Sequence, residues 1–360
     1  KLPNDMLEEL LSGAAPGREE TAAGGAGRSA TKAADQPIAG AAPGTEAAGG
    51  EAEAAESPRG AAARETHPDE ELLIPPGVGE DVAAISAEGF EVLIAKSDPI
   101  TFPTPHIGSH TITINTNDVL CSGGVPRWFL ATAIFPPGTT GYEIREVYRD
   151  MLDAASRIGV TVVGGHTEIS DAVVRPVVSG SLLGAAAADG ILKKRDVRSG
   201  DRIIMTKRPG LEGTAIIADD LADALRARAV SPTVIEAASG FADRLSIFEE
   251  ARVATESGRA VALHDVTEGG VATALEELAR AAGLSIRVDL DALDPYPETR
   301  TLCEALRVDP LGLIGSGSLL IAVRPADEAV MLELLAEAGT EARPVGEAAK
   351  AARTGAGRGG

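Results

Sequence analysis

The spacing of apolar side chains predicts most of the ordered elements of this chain. From Tyr142 to Ile158, apolar residues recur every three or four positions, and Gly159 follows, which is the pattern of an amphipathic helix with a glycine stop. Short apolar runs between polar or glycine residues predict strands. The other predicted elements are strands at 91–95, 160–163, 173–183, 201–206, 260–263, 285–288 and 318–323, an alanine-rich hinge at 184–190, and helices from 213, over 234–258 with a break at Gly240, over 271–282 and over 326–338. This alternation predicts an α+β or α/β sandwich.

Two stretches of the chain, 13–71 and 348–360, lack the apolar residues that a core needs. Between Gly13 and Glu71 the only large aliphatic residue is Ile38, so we expect a disordered linker or insertion there. Before it, Asn4 precedes an apolar face that predicts a short helix. The predicted organisation is a helix within 1–12, a linker at 13–71, a first domain at 72–185, a second domain at 190–347 and a disordered tail at 348–360.

Charge and composition exclude several classes of protein. The chain has 360 residues and a formal net charge of -21, which argues against non-specific binding to nucleic acid or to an anionic membrane. No segment reaches the roughly 18 consecutive apolar residues of a membrane span. The two cysteines, Cys121 and Cys303, are far apart and suit a reducing compartment. We therefore expect a cytoplasmic protein with neither a nucleic-acid nor a membrane partner.

Three aspartates follow or interrupt predicted extended segments, and together they suggest a metal site. Asp81 comes just after Gly77 and Gly79, while Asp98 and Asp118 lie in later segments. Carboxylate oxygens are the ligands that Mg²⁺ prefers, and glycines let backbone N–H groups approach an anion. The pattern predicts a Mg²⁺–nucleotide triphosphate site without a Walker-type loop. Aspartates in turns and helix caps are the alternative interpretation.

Other polar residues near these aspartates have two interpretations each. Lys96 is two positions from Asp98, so both side chains should point to one face of a strand, where Lys96 either contacts phosphate or is only an exposed strand residue. Asn115 and Asn117 either cap a helix that begins there or contact the nucleotide. Gly164 and Gly165 could admit a phosphate. After them, His166 is either structural or a group that contacts phosphate or shuttles a proton, and Glu168 is a base or a metal ligand.

A second polar motif opens a predicted helix in the second domain. Thr267, Gly269 and Gly270 precede the helix predicted from 271, and the free N–H groups of a helix start attract anions. An ordinary helix cap is the alternative. We expect these residues, with His264 and Asp265, to line a pocket for an acceptor substrate that faces the nucleotide site.

The order of these motifs resembles the superfamily of aminoimidazole-ribonucleotide synthetase (AIR synthase). Thiamine-monophosphate kinase, selenophosphate synthetase and the hydrogenase-maturation protein that dehydrates a carbamoyl group to a nitrile also belong to it. One motif alone is weak, whereas six in order over about 240 residues are specific for the superfamily. The last motif in the chain, which begins at Asp309, most resembles the hydrogenase-maturation branch. The six motifs are Gly77–Ile85, Lys96–Asp98, Asn115–Pro126, Gly164–Glu168, His264–Gly270 and Asp309–Gly317.

The resemblance implies a fold and a reaction class. The fold is the two-domain α+β, PurM-like (AIR synthase-like) fold, with N-terminal sheets that pair in a homodimer and a C-terminal α/β sandwich. The cofactors are ATP and Mg²⁺, and the reaction is phosphoryl transfer that activates an oxygen of a small-molecule or protein-bound acceptor. A kinase of the thiamine-monophosphate type and a non-catalytic nucleotide-binding partner in a maturation complex are the alternatives.

Overall fold

The computed structural model of the protein describes residues 72–74, 84–85, 90–102 and 104–351. The first half of this part holds a four-stranded sheet and two helices, with a two-stranded antiparallel pair before them. Its elements are β1 (Leu72–Ile74), β2 (Ala84–Ile85), β3 (Val92–Ile100), α1 (Ile107–Cys121), β4 (Val125–Phe135), α2 (Gly141–Arg157), β5 (Thr161–Ile169) and β6 (Val177–Ala186). The predicted helix at 4–11, the predicted linker at 13–71, and Gly77, Gly79 and Asp81 lie outside the described residues.

The four-stranded sheet has the order β3-β6-β4-β5. Only the β4–β5 pair is parallel, and α2 supplies the crossover that such a pair needs. Both helices pack on one face of the sheet, where Phe129, Phe135 and Met151 are completely buried. The predicted amphipathic helix is confirmed as α2. Its start is fixed by a capping box in which Thr140 Oγ1 accepts from the Glu143 N–H and the Thr140 N–H donates to Glu143.

Helix α1 corrects the prediction that a helix begins near Asn115. The helix starts at Ile107, so Asn115, Asn117 and Asp118 lie in its second half and cap nothing. Twelve of its fifteen residues are buried, so it has no polar face to give a helical period, and its β-branched residues suggested an extended segment. Glycines in β6 permit the close packing, since a Cβ at Gly180 would lie 2.5 Å from Asn115 Nδ2.

The second half of the described chain forms the predicted α/β sandwich. Its sheet is antiparallel throughout, with the order β8-β10-β7-β11-β9. The elements are β7 (Arg202–Thr206), α3 (Leu211–Asp220), α4 (Ala222–Ala227), α5 (Pro232–Ser239), α6 (Phe248–Glu256), β8 (Ala260–Asp265), α7 (Gly270–Ala282), β9 (Ser285–Val288), α8 (Pro297–Leu306), β10 (Leu319–Val323), α9 (Glu328–Glu337) and β11 (Ala342–Ala349).

Both faces of this second sheet are covered. Helix α7 packs on one face through Val271, Leu275 and Leu278, whereas α6 and α9 cover the other face. The end of α1, at Leu120 and Cys121, packs into that second core as well. The last turn of α1 therefore belongs to the junction between the two halves of the described chain.

Several predicted boundaries were wrong. The hinge predicted at 184–190 begins inside β6, which continues to Ala186, and the tail predicted from 348 begins inside β11, where Ala348 and Ala349 pair with β9. Strand β4, helix α8 and strand β11 were not predicted at all. None of the helices in the described residues combines the length and the apolar character that a membrane crossing requires.

Candidate functional site

Two of the three predicted metal-binding aspartates lie on either side of one lysine. Lys96 Nζ is 3.2 Å from Asp98 Oδ2 and 2.9 Å from Asp118 Oδ2. Lys96 and Asp98 share a face of β3, as their spacing predicts, and Asp118 approaches from α1. Burial lowers the pKa of Lys96, but the hydrogen bond to Asp118 and both carboxylates outweigh burial and leave it raised. The ammonium group therefore stays charged and joins the two carboxylates.

A third carboxylate reaches this place from the second half of the chain. Asp265 ends β8, is buried, and lies close enough to Asp118 to raise the pKa of that carboxyl. Burial is the largest cause, Asp265 is next, and Lys96 opposes both, so that the pKa of Asp118 is about 6. We call Lys96, Asp98, Asp118 and Asp265 the carboxylate cluster. It has three acids and one base, so its formal charge is negative.

Cys121 adds a contact between α1 and β8 beside this cluster. Its Sγ lies 3.7 Å from Asp265 Oδ1. Burial, reinforced by Asp265, raises the pKa of the thiol well above its usual value, so the sulfur keeps its proton and donates it. The residue is thus buried, as a core residue would be, but it also ties the two halves of the described chain together.

The carboxylate cluster fits a hard cation in its chemistry but not as a complete cage. Its donors are carboxylate oxygens, which suit Mg²⁺, and its charge favours an additional cation. Within the described residues, however, no group of three His, Cys, Asp or Glu side chains is arranged to hold a metal ion. Asp81 lies outside those residues, so the three-aspartate metal site stays a prediction with two members placed together.

The two asparagines of α1 hold the backbone around the cluster. Asn115 Nδ2 donates to the Asp98 carbonyl at 3.2 Å and to the Thr111 carbonyl at 2.8 Å. Asn117 Nδ2 donates to the Leu245 carbonyl at 2.9 Å, and Asn117 Oδ1 accepts from the Ile247 N–H at 3.2 Å. Asn117 therefore joins α1 to the segment before α6. The predicted contact of these amides with a nucleotide stays a prediction.

The Gly164–Glu168 motif lies within β5 and does not follow it. A Cβ at Gly165 would lie only 1.9 Å from the Ala131 carbonyl oxygen, so the close approach of β5 to β4 requires glycine there. His166 Nε2 and Glu168 Oε2 are 3.4 Å apart and largely exposed. The strand register places Asp98 in line with Gly165, so His166, the next residue, points to the opposite face of the sheet. The structure does not bring this predicted catalytic pair together with the carboxylate cluster.

The predicted helix start in the second half is confirmed. Gly269 and Gly270, with φ of 80° and 65°, open α7 in a conformation that disfavours other residues. The Thr267 carbonyl accepts from the Gly270 N–H and, at 3.2 Å, from the Gly315 N–H. A Cβ at Gly270 would lie 2.3 Å from the Leu311 carbonyl oxygen. The segment that contains Asp309–Gly317 thus packs directly against this helix start.

The side chains of His264 and Lys207 are held by other groups of the same chain. His264 is buried, and its Nε2 lies 3.2 Å from Glu277 Oε2 of α7. Lys207 Nζ donates to the Ser246 and Gly317 carbonyls and to Glu250 Oε1, each at 2.7 Å. The Lys207 ammonium is therefore committed to holding the loops at Ser246 and Gly317. Glu212, a buried acid in the first turn of α3, could not be singled out from the sequence, since a single acid at a helix start is an ordinary feature.

Comparison with known proteins gives family matches in both halves of the chain. The family described as AIR synthase related protein, N-terminal domain, matches residues 79–186, and the corresponding C-terminal domain matches residues 198–357. Among curated relatives, the chain is 29% identical over 275 residues to the carbamoyl dehydratase HypE of Escherichia coli strain K12, which covers 74% of this chain and 79% of that protein.

Solved structures of similar proteins share the fold. The hydrogenase maturation protein HypE in complex with ATP matches with a TM-score of 0.63 and 24% identity, covering 79% of this chain and 83% of that one. Thiamine-monophosphate kinase from Stenotrophomonas maltophilia K279a matches with a TM-score of 0.63 and 18% identity, covering 78% of this chain and 89% of that one.

Proposed function

The chain belongs to the family of AIR synthase related proteins, and from this premise we propose that it transfers a phosphoryl group from ATP to an oxygen of an acceptor. The observation that carries the proposal is the carboxylate cluster, in which the Lys96 ammonium joins Asp98 to Asp118 and Asp265 lies near Asp118. The similarity to HypE, a protein named as a carbamoyl dehydratase and solved with ATP, supports the same reaction class.

The proposed step makes one bond and breaks one bond. The acceptor oxygen bonds to the γ-phosphorus of ATP, the bond from that phosphorus to the β–γ bridging oxygen breaks, and ADP leaves. Mg²⁺, held by Asp98 and Asp118 with Asp81 as the third predicted ligand, would offset negative charge on the phosphates. Lys96 already donates to both aspartates and would direct its remaining N–H toward a phosphate oxygen.

The second half of the chain would supply the acceptor side of the site. Asp265 is fixed at the end of β8, and His264 is fixed by Glu277, so both have defined positions at the junction. The acceptor would approach between the carboxylate cluster and the start of α7. The homodimer that the resemblance implies is part of this proposal, with the exposed face of the four-stranded sheet as the contact surface. Leu93, which is 59% exposed, lies on that face.

The test is ADP and phosphate production from Mg·ATP by the purified full chain, with and without cell extract as a source of acceptor. We expect extract-dependent ADP production. If free phosphate accompanies the ADP, the phosphoryl group is transient, as in carbamoyl activation, whereas ADP without phosphate indicates a kinase. No ADP in either condition would overturn the proposal and favour a nucleotide-binding partner protein.

A further inference from the structure

A cavity of about 360 Å³ lies between the first turns of α1 and helix α3. Its volume is in the range of small-molecule sites. His110 of α1 and Glu212 of α3 line it together with apolar side chains that include Phe102 and Ile216. Asp118 is eight residues beyond His110 in α1, which corresponds to about 12 Å along the helix axis. The cavity is therefore separate from the carboxylate cluster.

Two buried polar groups that line this cavity have atoms without a partner. Glu212 is 2% exposed and His110 is 7% exposed. Glu212 Oε2 and His110 Nε2 accept or donate no hydrogen bond within the described part of the chain, although His110 Nδ1 is 3.0 Å from Thr104 Oγ1. Buried polar atoms almost always have partners. Two residues that line one cavity therefore each have an unpartnered polar atom, and these are the contacts that a ligand in the cavity would make.

The charges around the cavity select the kind of ligand. Asp219 and Asp220 line it along with Glu212, and Arg175 is the one arginine or lysine among the lining residues of the described chain. Burial, with a further contribution from His106, lowers the pKa of His110 to about 4, so its imidazole is neutral near pH 7. A phosphate or carboxylate would be repelled by three acids here, whereas a cation would be attracted.

We propose that this cavity binds a small organic cation, an amine or amidinium, whose N–H groups donate to Glu212 Oε2 and His110 Nε2. When Nδ1–H of His110 donates to Thr104, Nε2 carries the lone pair that such a ligand needs. The apolar part of the ligand packs against Phe102 and Ile216. The site stands on its own residues and does not depend on the proposed phosphoryl transfer.

The first test compares butylammonium with its neutral analogue 1-butanol in calorimetric titrations of the full chain without nucleotide. We expect butylammonium to bind with a Kd of about 1 mM, as its small size allows, and 1-butanol to bind at least tenfold more weakly. Glu212→Gln removes the buried charge and should weaken butylammonium binding by about 30-fold or more. Glu236→Gln, the same exchange at an exposed position of α5, should leave binding unchanged.

The second test measures the number of protons that the protein releases when butylammonium binds. Burial raises the pKa of Glu212 to about 7 despite a hydrogen bond from Ser316, and Glu268 adds to the effect. A bound cation favours the ionised carboxylate, so titrations at pH 7 in two buffers of different ionisation enthalpy should show release of about half a proton per ligand. The other charged or titratable groups at the cavity are His106, His110, Arg175, Asp219 and Asp220. Glu212→Gln should abolish the release.

A substitution that fills the cavity tests the proposal independently of Glu212. Ile216→Trp leaves Glu212 intact but occupies space in the cavity, so it should abolish butylammonium binding in a protein whose thermal unfolding stays cooperative. Equal binding of butylammonium and 1-butanol would overturn the proposal. Butylammonium binding that survives both Glu212→Gln and Ile216→Trp would also overturn it. Binding of inorganic phosphate in place of the amine would overturn it equally.

Discussion

Asn117→Leu should destabilise the protein by breaking the hydrogen bonds that join α1 to the segment before α6. The Asn117 side chain is 1% exposed and bridges the Leu245 carbonyl and the Ile247 N–H. Leucine has the same branched arrangement of four side-chain heavy atoms and keeps the site filled, but it has no polar atom. The exchange therefore isolates the two hydrogen bonds from the packing around them.

The magnitude follows from the groups that lose their partner. Leu245 and Ile247 are themselves buried, at 2% and 0% exposure, so water cannot replace the lost contacts. Each buried backbone group left without a partner costs about 1–3 kcal/mol. The added apolar side chain returns about 1–2 kcal/mol through burial. The two groups together cost about 2–6 kcal/mol, so the free energy of unfolding should fall by about 1–4 kcal/mol.

Urea unfolding followed by circular dichroism measures this change as a shift of the transition midpoint at constant slope. Thr113→Leu is the matched control, because it introduces the same side chain one turn earlier in α1 at a half-buried position. That variant should stay within about 0.5 kcal/mol of the parent. A midpoint for Asn117→Leu equal to that of the control would refute the bridge between α1 and the 245–247 segment.

Four further expectations follow from the site and the composition. Asp98→Asn and Asp118→Asn should each slow ADP production about 30- to 1000-fold, whereas Asp171→Asn in an exposed turn should not. Glu212→Gln should match the parent at pH 4 and exceed it by up to about 3 kcal/mol at pH 8, because the protonated carboxyl is favoured in the folded state and that contribution is lost as the pH rises through about 7. Added KCl should raise the Tm, since screening relieves the repulsion of a net charge of -21. Sedimentation at micromolar concentration with nucleotide should show a dimer.

Elements with one polar face could be predicted from the sequence. Helix α2 alternates apolar and charged residues, so its period identified it, and α7 was predicted to within one residue. Helix α1 gave no such signal, because most of its residues are buried and several of those are threonine or asparagine. Its packing under β6 decides its structure, and packing between distant segments is not written in a local pattern.

The candidate site also has parts that could be predicted from the sequence and parts that could not. Lys96 and Asp98 could be paired from their spacing in a strand, since side chains two positions apart share a face. The separation of His166 from that face depends on the register across four strands, which the sequence does not reveal. The meeting of Asp118 with Asp265 depends on how the end of α1 packs against the second sheet.

The charge of the carboxylate cluster constrains what can bind there. Asp98, Asp118 and Asp265 contribute three formal negative charges, and Lys96 offsets one of them. The pKa of Asp118, raised to about 6, leaves that carboxyl ionised at neutral pH. A free phosphate would meet a net repulsion, whereas a phosphate that arrives with a divalent cation would not. The cluster should therefore discriminate between ATP alone and Mg·ATP. This selectivity follows from the placement of Asp265, which joins the other two acids only because β8 ends at the last turn of α1.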